Sequence, residues 1–248
     1  THLSAWNTLG LIARSSDVPA MIAALDAIRT GDDAKDSKQR MFAKEAIISV
    51  CESIANEEQR AKEVLQAIKQ VSNEETQKAL LQIAGRLSTQ QVRNRLRALL
   101  RDKTLAIQAA RAIGEWKNTE PMEDLLEFLK TAKNDGEKLV ALQSLAAINM
   151  RPSSRAHAKT IALLAEASKY VPPKRSREKN TLLAAMALLP DRTAKPTIEK
   201  IGGAAFKSLL PTYLKENAKA LQGVVAVNGP TTVGVDKALI LGEGARLS

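Results

Sequence analysis

One phrase recurs six times along this chain: an apolar stretch with a small residue near its end, a short polar break, and a second amphipathic stretch. The first copy runs through Ala5, Leu9, Gly10 and Ile12, breaks at Ser15-Ser16-Asp17, and resumes at Val18-Pro19 towards Met21, Leu25 and Ile28. The second uses Ile47, Cys51 and Ile54, then Ala61, Val64, Leu65 and Ile68. The third and fourth are the most regular: Leu80, Ala84, Gly85, Leu87 then Val92, Leu96, Leu99, Leu100; and Ala109, Ile113, Gly114, Trp116 then Met122, Leu125, Leu126, Leu129. The fifth reads Ala141, Leu145, Ala146, Ile148 then Ala158, Ile161, Leu164, and the sixth Leu182, Met186, Ala187, Leu189 then Pro196, Ile198, Ile201. Leu209, Leu214 and Leu221 suggest a closing helix or two.

Within each stretch the apolar residues fall at i, i+3, i+4 and i+7, one face of a helix rather than the alternation of a strand. Aromatic residues make up only 3% of the chain, which removes the side chains that favour strands and leaves Ala and Leu to favour helices. Taking Ile12, Ile54, Leu87, Trp116, Ile148 and Leu189 as equivalent anchors gives spacings of 42, 33, 29, 32 and 41 residues, a variation that loops between helix pairs can absorb. Ser16 or Asp17 before Val18-Pro19, and Asn118 or Thr119 before Glu120-Pro121, place a cap and then proline in a helix's first turn. The small residues Gly10, Gly85, Gly114, Ala146 and Ala187 would let neighbouring helices approach closely; Glu52 breaks that pattern in the second copy.

This alternation resembles HEAT repeats, including the HEAT-like variety of phycobilisome lyases, over roughly residues 3–222. The stretch Gly114-Glu115-Trp116, Pro121, Leu125-Leu126-Glu127-Phe128-Leu129 and Leu139-Val140-Ala141-Leu142 is also similar to HEAT modules of large exported bacterial proteins. The resemblance implies an all-α fold, a right-handed α-α superhelix of about six helix pairs spanning residues 1–222, and an exported or periplasmic bacterial setting. Residues 223–248 depart from the pattern: Val224-Val225-Ala226-Val227 and Thr231-Thr232-Val233-Gly234-Val235 read as two short strands about Asn228-Gly229. They form either an extended tail or linker, or the first hairpin of a further, β-rich domain. The chain begins at Thr1 rather than Met, with no basic and apolar leader, so a trimmed or processed start is expected.

Charge is the next constraint, because the net +10 is uneven: residues 1–88 carry 11 Lys/Arg against 12 Asp/Glu, and residues 89–248 carry 26 against 15. Arg93, Arg97 and Arg101 follow one another four residues apart on the second helix of copy three, with Arg95 and Lys103 nearby. The equivalent helix of copy four, which a repeat stack lays alongside, carries Glu120, Glu123, Asp124 and Glu127. Two readings stay open: ion pairs between copies, each contributing about 0–1 kcal/mol at a surface, or an anion-binding wall. Lys174, Arg175, Arg177 and Lys179 form a second basic cluster after Pro172-Pro173.

Catalytic and metal chemistry find few candidates. His2 and His157 stand far apart with no partner at ligand spacing, so no metal site is expected. Cys51 lies within an apolar run and reads as a buried small hydrophobe. Gly202-Gly203 follows a helix, where a stop signal belongs, and no phosphate-binding loop occurs, so no cofactor is expected. Every apolar run is interrupted by charge before a bilayer-spanning length of about 20 residues, so no membrane insertion is expected. Trp6 and Trp116 read as core.

The expected function is a non-catalytic scaffold offering an extended helical surface to a protein partner or to a neighbouring domain of the same chain, with Arg93, Arg97, Arg101, Glu120, Asp124 and Glu127 as candidate contact residues. The alternative is binding to a nucleic-acid backbone through the basic residues 89–248, as the resemblance to HEAT-like alkylpurine DNA glycosylases implies. The lyase name of the repeat family adds an enzyme reading that no residue of this chain supports.

Overall fold

The computed structural model describes residues 2–29, 31–172, 175–189, 194–203, 206–208, 210–211, 214–215, 224–227 and 238–241. Among the described residues the helices run in the order of the sequence copies: α1 (His2–Ile12), α2 (Val18–Asp26), α3 (Asp33–Glu52), the single turn α4 (Glu57–Arg60), α5 (Lys62–Gln70), α6 (Glu74–Leu87) and α7 (Gln90–Leu99). Then come α8 (Ala106–Gly114), α9 (Met122–Thr131), α10 (Asp135–Asn149), α11 (His157–Ser168), α12 (Ser176–Ala187) and α13 (Ala194–Gly202). None of these is long and apolar enough to cross a membrane.

The chain divides into two compact units, residues 1–154 and 155–248. In the first, the leading helices form a layer in which α1 packs on α3, α3 on α6, α6 on α8 and α8 on α10. The second helices pack against that layer: α2 on α3, α5 on α6, α7 on both α6 and α8, and α9 on both α8 and α10. Burial follows from this placement. Helix α6 is covered on several sides and buries Thr76, Ala79, Leu80, Leu81, Ile83, Ala84, Gly85 and Leu87, while α7 buries a single stripe, Val92, Leu96 and Leu99. In the second unit, α11, α12 and α13 pack against one another.

Small residues set the spacing of the leading layer. A Cβ on Gly85 would overlap the carbonyl oxygen of Ala112 on α8 and lie 2.8 Å from that residue's carbonyl carbon. One on Gly114 would lie 3.1 Å from the Ser144 side chain on α10, and one on Gly10 would lie 3.1 Å from Cα of Ala46 on α3. These are the close approaches expected at those positions. Glu52, which breaks the small-residue pattern, is exposed and pairs with Lys117 at 2.7 Å. Of the anchors, Leu87, Trp116 and Ile148 are buried, and Trp6 is core as well. Ile12 is not: it is 69% exposed, beside Leu11 at 85%, because α3 covers one flank of α1 and these side chains lie off it.

Several polar breaks act as helix caps. Asp32 Oδ1 accepts from the Ala34 and Lys35 amides at 3.1 and 3.0 Å, Asn73 Oδ1 from Glu75, and Thr89 Oγ1 from Val92. Asn134 Oδ1 accepts from the Glu137 amide at 2.9 Å while the Glu137 carboxylate reaches back to the Lys133 amide at 2.7 Å. The two caps expected beside prolines differ. Asp17 accepts from the Arg14 amide at 2.7 Å rather than from α2, closing the 3-10 turn Ser15–Asp17 before the helix. Helix α9 begins at Met122 with Pro121 at the cap position; Asn118 Oδ1 accepts from the Glu120 amide at 3.0 Å in the turn before it, while Thr119 is buried and its hydroxyl meets that of Ser153 at 2.5 Å.

Cys51 sits in the α3 core, and burial, with a smaller push from the Glu52 charge, raises its thiol to about 12. Almost no thiolate is present at neutral pH. Iodoacetamide at pH 8 is therefore expected to label Cys51 only in denaturant; rapid stoichiometric labelling of the native protein would contradict this packing.

The C-terminal segment is a correction. Strand β1 (Val224–Val227) lies where expected, but its partner is β2 (Ala238–Leu241), and the two run parallel with Val224 opposite Ala238. Parallel strands cannot be joined by a tight turn, so this pair is not the hairpin expected about Asn228-Gly229. Residues 228–237, with the second expected strand at 231–235, lie outside the described residues, as do Leu209 and Leu221 of the expected closing helix. Leu214 is helical and 56% exposed.

Candidate functional site

Thr89 starts α7, and Val92, Leu96 and Leu99 anchor it against the leading layer, which turns Arg93 and Arg97 towards α9. Helix α9 is anchored in turn by Met122, Leu125, Leu126, Phe128 and Leu129. Asp124, one step round from that stripe, faces both arginines. Arg93 Nε donates to Asp124 Oδ2 at 2.8 Å, and Arg97 Nε donates to Oδ1 at 2.6 Å. Arg93 also donates through Nη2 to the Glu120 carbonyl at 3.1 Å, and the Glu120 carboxylate stands 3.9 Å from its Nη1.

Exposure separates these contacts. The Asp124 and Arg93 side chains are 8% and 16% exposed, whereas Arg97 is 47% and Glu120 58% exposed. The Arg93–Asp124 contact is therefore largely withdrawn from water, and the Glu120 carboxylate adds little. A carboxylate with a guanidinium on each oxygen is neutralised, and it offsets one of the two positive charges that share it.

The remaining two candidates do not join this cluster. Glu127 turns to Lys130 on its own helix at 2.7 Å. Arg101, beyond the end of α7, is exposed and makes no ion pair among the described residues. It borders two adjoining grooves of about 380 and 480 Å³ that share Leu100, Arg101, Phe128 and Thr131. The wider one also takes in Lys103 from the loop before α8 and Lys133 from the loop before α10.

Lys133 was not legible as a site residue, yet a signal existed. Lys103 and Lys133 lie in successive loops between copies, one just after and one just before the residue whose side chain bonds the following turn. Asp102 Oδ1 accepts from the Thr104 hydroxyl and amide at 2.7 and 2.8 Å and from the Leu105 amide at 3.0 Å. Those bonds hold its carboxyl below the usual carboxylate range, so the contribution is present at neutral pH and is lost as pH falls through that lowered value. Acidic residues of these loops thus satisfy backbone donors, and the neighbouring lysines are left over.

On the leading layer, Lys44 meets Gln82 at 2.7 Å, and Arg86 meets Glu45 at 3.3 Å. These are exposed ties between copies. In the second unit, Arg175 and Arg177 are exposed near the start of α12 and Lys179 is half-buried, while Lys174 lies outside the described residues. His157 is exposed at the first position of α11. No cluster of three or more His, Cys, Asp or Glu that could hold a metal ion occurs among the described residues. No family model, curated protein or solved structure matches this chain.

Proposed function

We propose that this chain is a HEAT-like α-solenoid that binds rather than catalyses, a scaffold for a protein partner or for a neighbouring domain of the same polypeptide. What carries the reading is the stacking of leading helices α1, α3, α6, α8 and α10 through Gly10, Gly85 and Gly114, with each second helix packed against that layer. A stack of this kind repeats one interface, so it leaves a long surface whose side chains are free to vary with the partner. Arg93, Arg97, Glu120 and Asp124 hold neighbouring second helices together on that surface, and Arg101 is available to a partner.

Nucleic acid is the weaker reading. Its support was the arginine stripe, but phosphate binding needs uncommitted cations, and Arg93 and Arg97 both donate to Asp124. Duplex DNA affinity that falls steeply between about 50 and 200 mM salt, at a concentration where no protein partner binds, would reverse this order.

The scaffold reading is tested by cross-linking the intact parent protein in its native cells, followed by reconstitution with the captured partner. Cross-links are expected on α7, α9 and the loops that follow them. Failure to capture any partner, together with turnover of a substrate by the purified chain, would end the reading.

A further inference from the structure

Three cations converge on the groove behind α7 and α9: Arg101 and Lys103 from one loop, and Lys133 from the next. None of them makes an ion pair among the described residues, although acidic residues stand beside them. Asp102 is bound to Thr104 and Leu105. Glu137 is bound to the Lys133 amide and, at 2.9 Å, to the Asn134 side-chain amide. Glu127 is bound to Lys130. The floor between the cations is apolar, made by Leu100, Ala106 and Phe128.

The lining carries these three cations against the two carboxylates Asp102 and Glu137, whose bonds are to neutral amides and a hydroxyl, so the groove keeps a net positive charge that an incoming anion offsets. We propose, resting on the scaffold reading, that this groove docks an acidic peptide segment of a partner, its carboxylates on Arg101, Lys103 and Lys133 and one large aliphatic side chain over Leu100 and Phe128. A nucleic-acid strand fits less well. The adjoining arginines are held by Asp124, and the apolar floor matches no feature of a phosphate backbone.

The purified full chain is titrated with a fluorescein-labelled peptide of glutamates flanking one leucine, read by fluorescence anisotropy, with a serine-centred peptide and a short DNA duplex as parallel probes. The double variant Arg101→Glu with Lys133→Glu is compared with Lys62→Glu and Lys69→Glu, two exposed lysines of α5 that undergo the same change of charge. Circular dichroism and thermal melts establish that each variant is folded. The groove variant is expected to bind the leucine peptide about tenfold or more weakly, the α5 variant less than about threefold, and the serine peptide about threefold or more weakly than the leucine peptide, a tenfold change being about 1.4 kcal/mol. Equal weakening in both variants, no difference between the two peptides, no binding at all, or tighter binding of the duplex with the same dependence on Arg101 and Lys133 would each overturn the proposal. A native partner that still binds the groove variant would overturn it too, while leaving the scaffold reading intact.

Discussion

Gly85→Ala is expected to destabilise residues 1–154 by about 2–3 kcal/mol, even though alanine gains about 1 kcal/mol in helix propensity over glycine. The added Cβ would overlap the carbonyl oxygen of Ala112, which is backbone and cannot rotate away, so α6 and α8 must move apart. That displacement loosens Leu80, Ala84 and Leu87 together. Both tryptophans, Trp6 and Trp116, belong to this unit, so fluorescence during a urea titration reports it selectively. The midpoint is expected to fall clearly for Gly85→Ala. For Gly114→Ala it should fall less, because the nearest atoms, Cβ and Oγ of Ser144 at 3.1 Å and its Cα at 3.2 Å, are tight without overlapping. Adding Ala112→Gly should not rescue Gly85→Ala, since the obstruction is the main chain. An unchanged or raised midpoint for Gly85→Ala would mean that the two helices are not in this contact.

The helical period and the six copies could be read from the sequence because each copy must bury the same kind of face against its neighbours. The glycines at positions 10, 85 and 114 were legible for the same reason: a small residue recurring at one place in a repeat marks a recurring close approach. What the pattern could not show is which ends are covered. Ile12 has the spacing of an anchor, yet it is exposed because α3 covers only one flank of α1. Local chemistry misled at Asp17, where a loop contact takes the expected cap's side chain, and at Asn118 or Thr119 it is Asn118 that meets a backbone amide, one turn ahead of the helix, while Thr119 turns to Ser153. In the C-terminal segment, alternation located β1 but could not distinguish a neighbouring antiparallel partner from the parallel one at Ala238–Leu241.

The candidate site was legible as far as helix adjacency goes. Spacing four apart puts Arg93 and Arg97 on one flank of α7, and the repeat brings α9 beside it. Pair choice was not legible, because it depends on the axial offset of the two helices and on which side chains remain near water. Asp124, close to the buried stripe, meets both arginines, while Glu127, 68% exposed, finds Lys130 one turn away. Arg101 runs past the end of α7, where the neighbouring acids Asp102, Glu127 and Glu137 are bonded to other groups. The surplus charge therefore collects in the loops, away from the centre of the stripe.

Asp124→Ala carries the second large effect, an expected loss of about 2–3 kcal/mol. Removing one partner of a buried pair costs about 3–5 kcal/mol, because the remaining charge loses its compensation in a poorly solvated place. Arg93 is in that position, but Arg97 is 47% exposed and can turn to water, which lowers the expected cost. Arg93→Ala in the Asp124→Ala background should recover part of the loss, giving a coupling of about 1 kcal/mol or more in a double-mutant cycle. Glu127→Ala, which removes only an exposed contact within one helix, should stay within about 0.5 kcal/mol of the parent. The same substitution also separates the two uses of the arginine stripe. If Asp124 neutralises Arg93 and Arg97 in the native chain, its removal should raise heparin or duplex DNA affinity while lowering stability, and a chain that already binds phosphates through those arginines would show no such gain. Affinity and stability falling together would mean that Asp124 positions the arginines for an anion, and the order of the two functional readings would then be reversed.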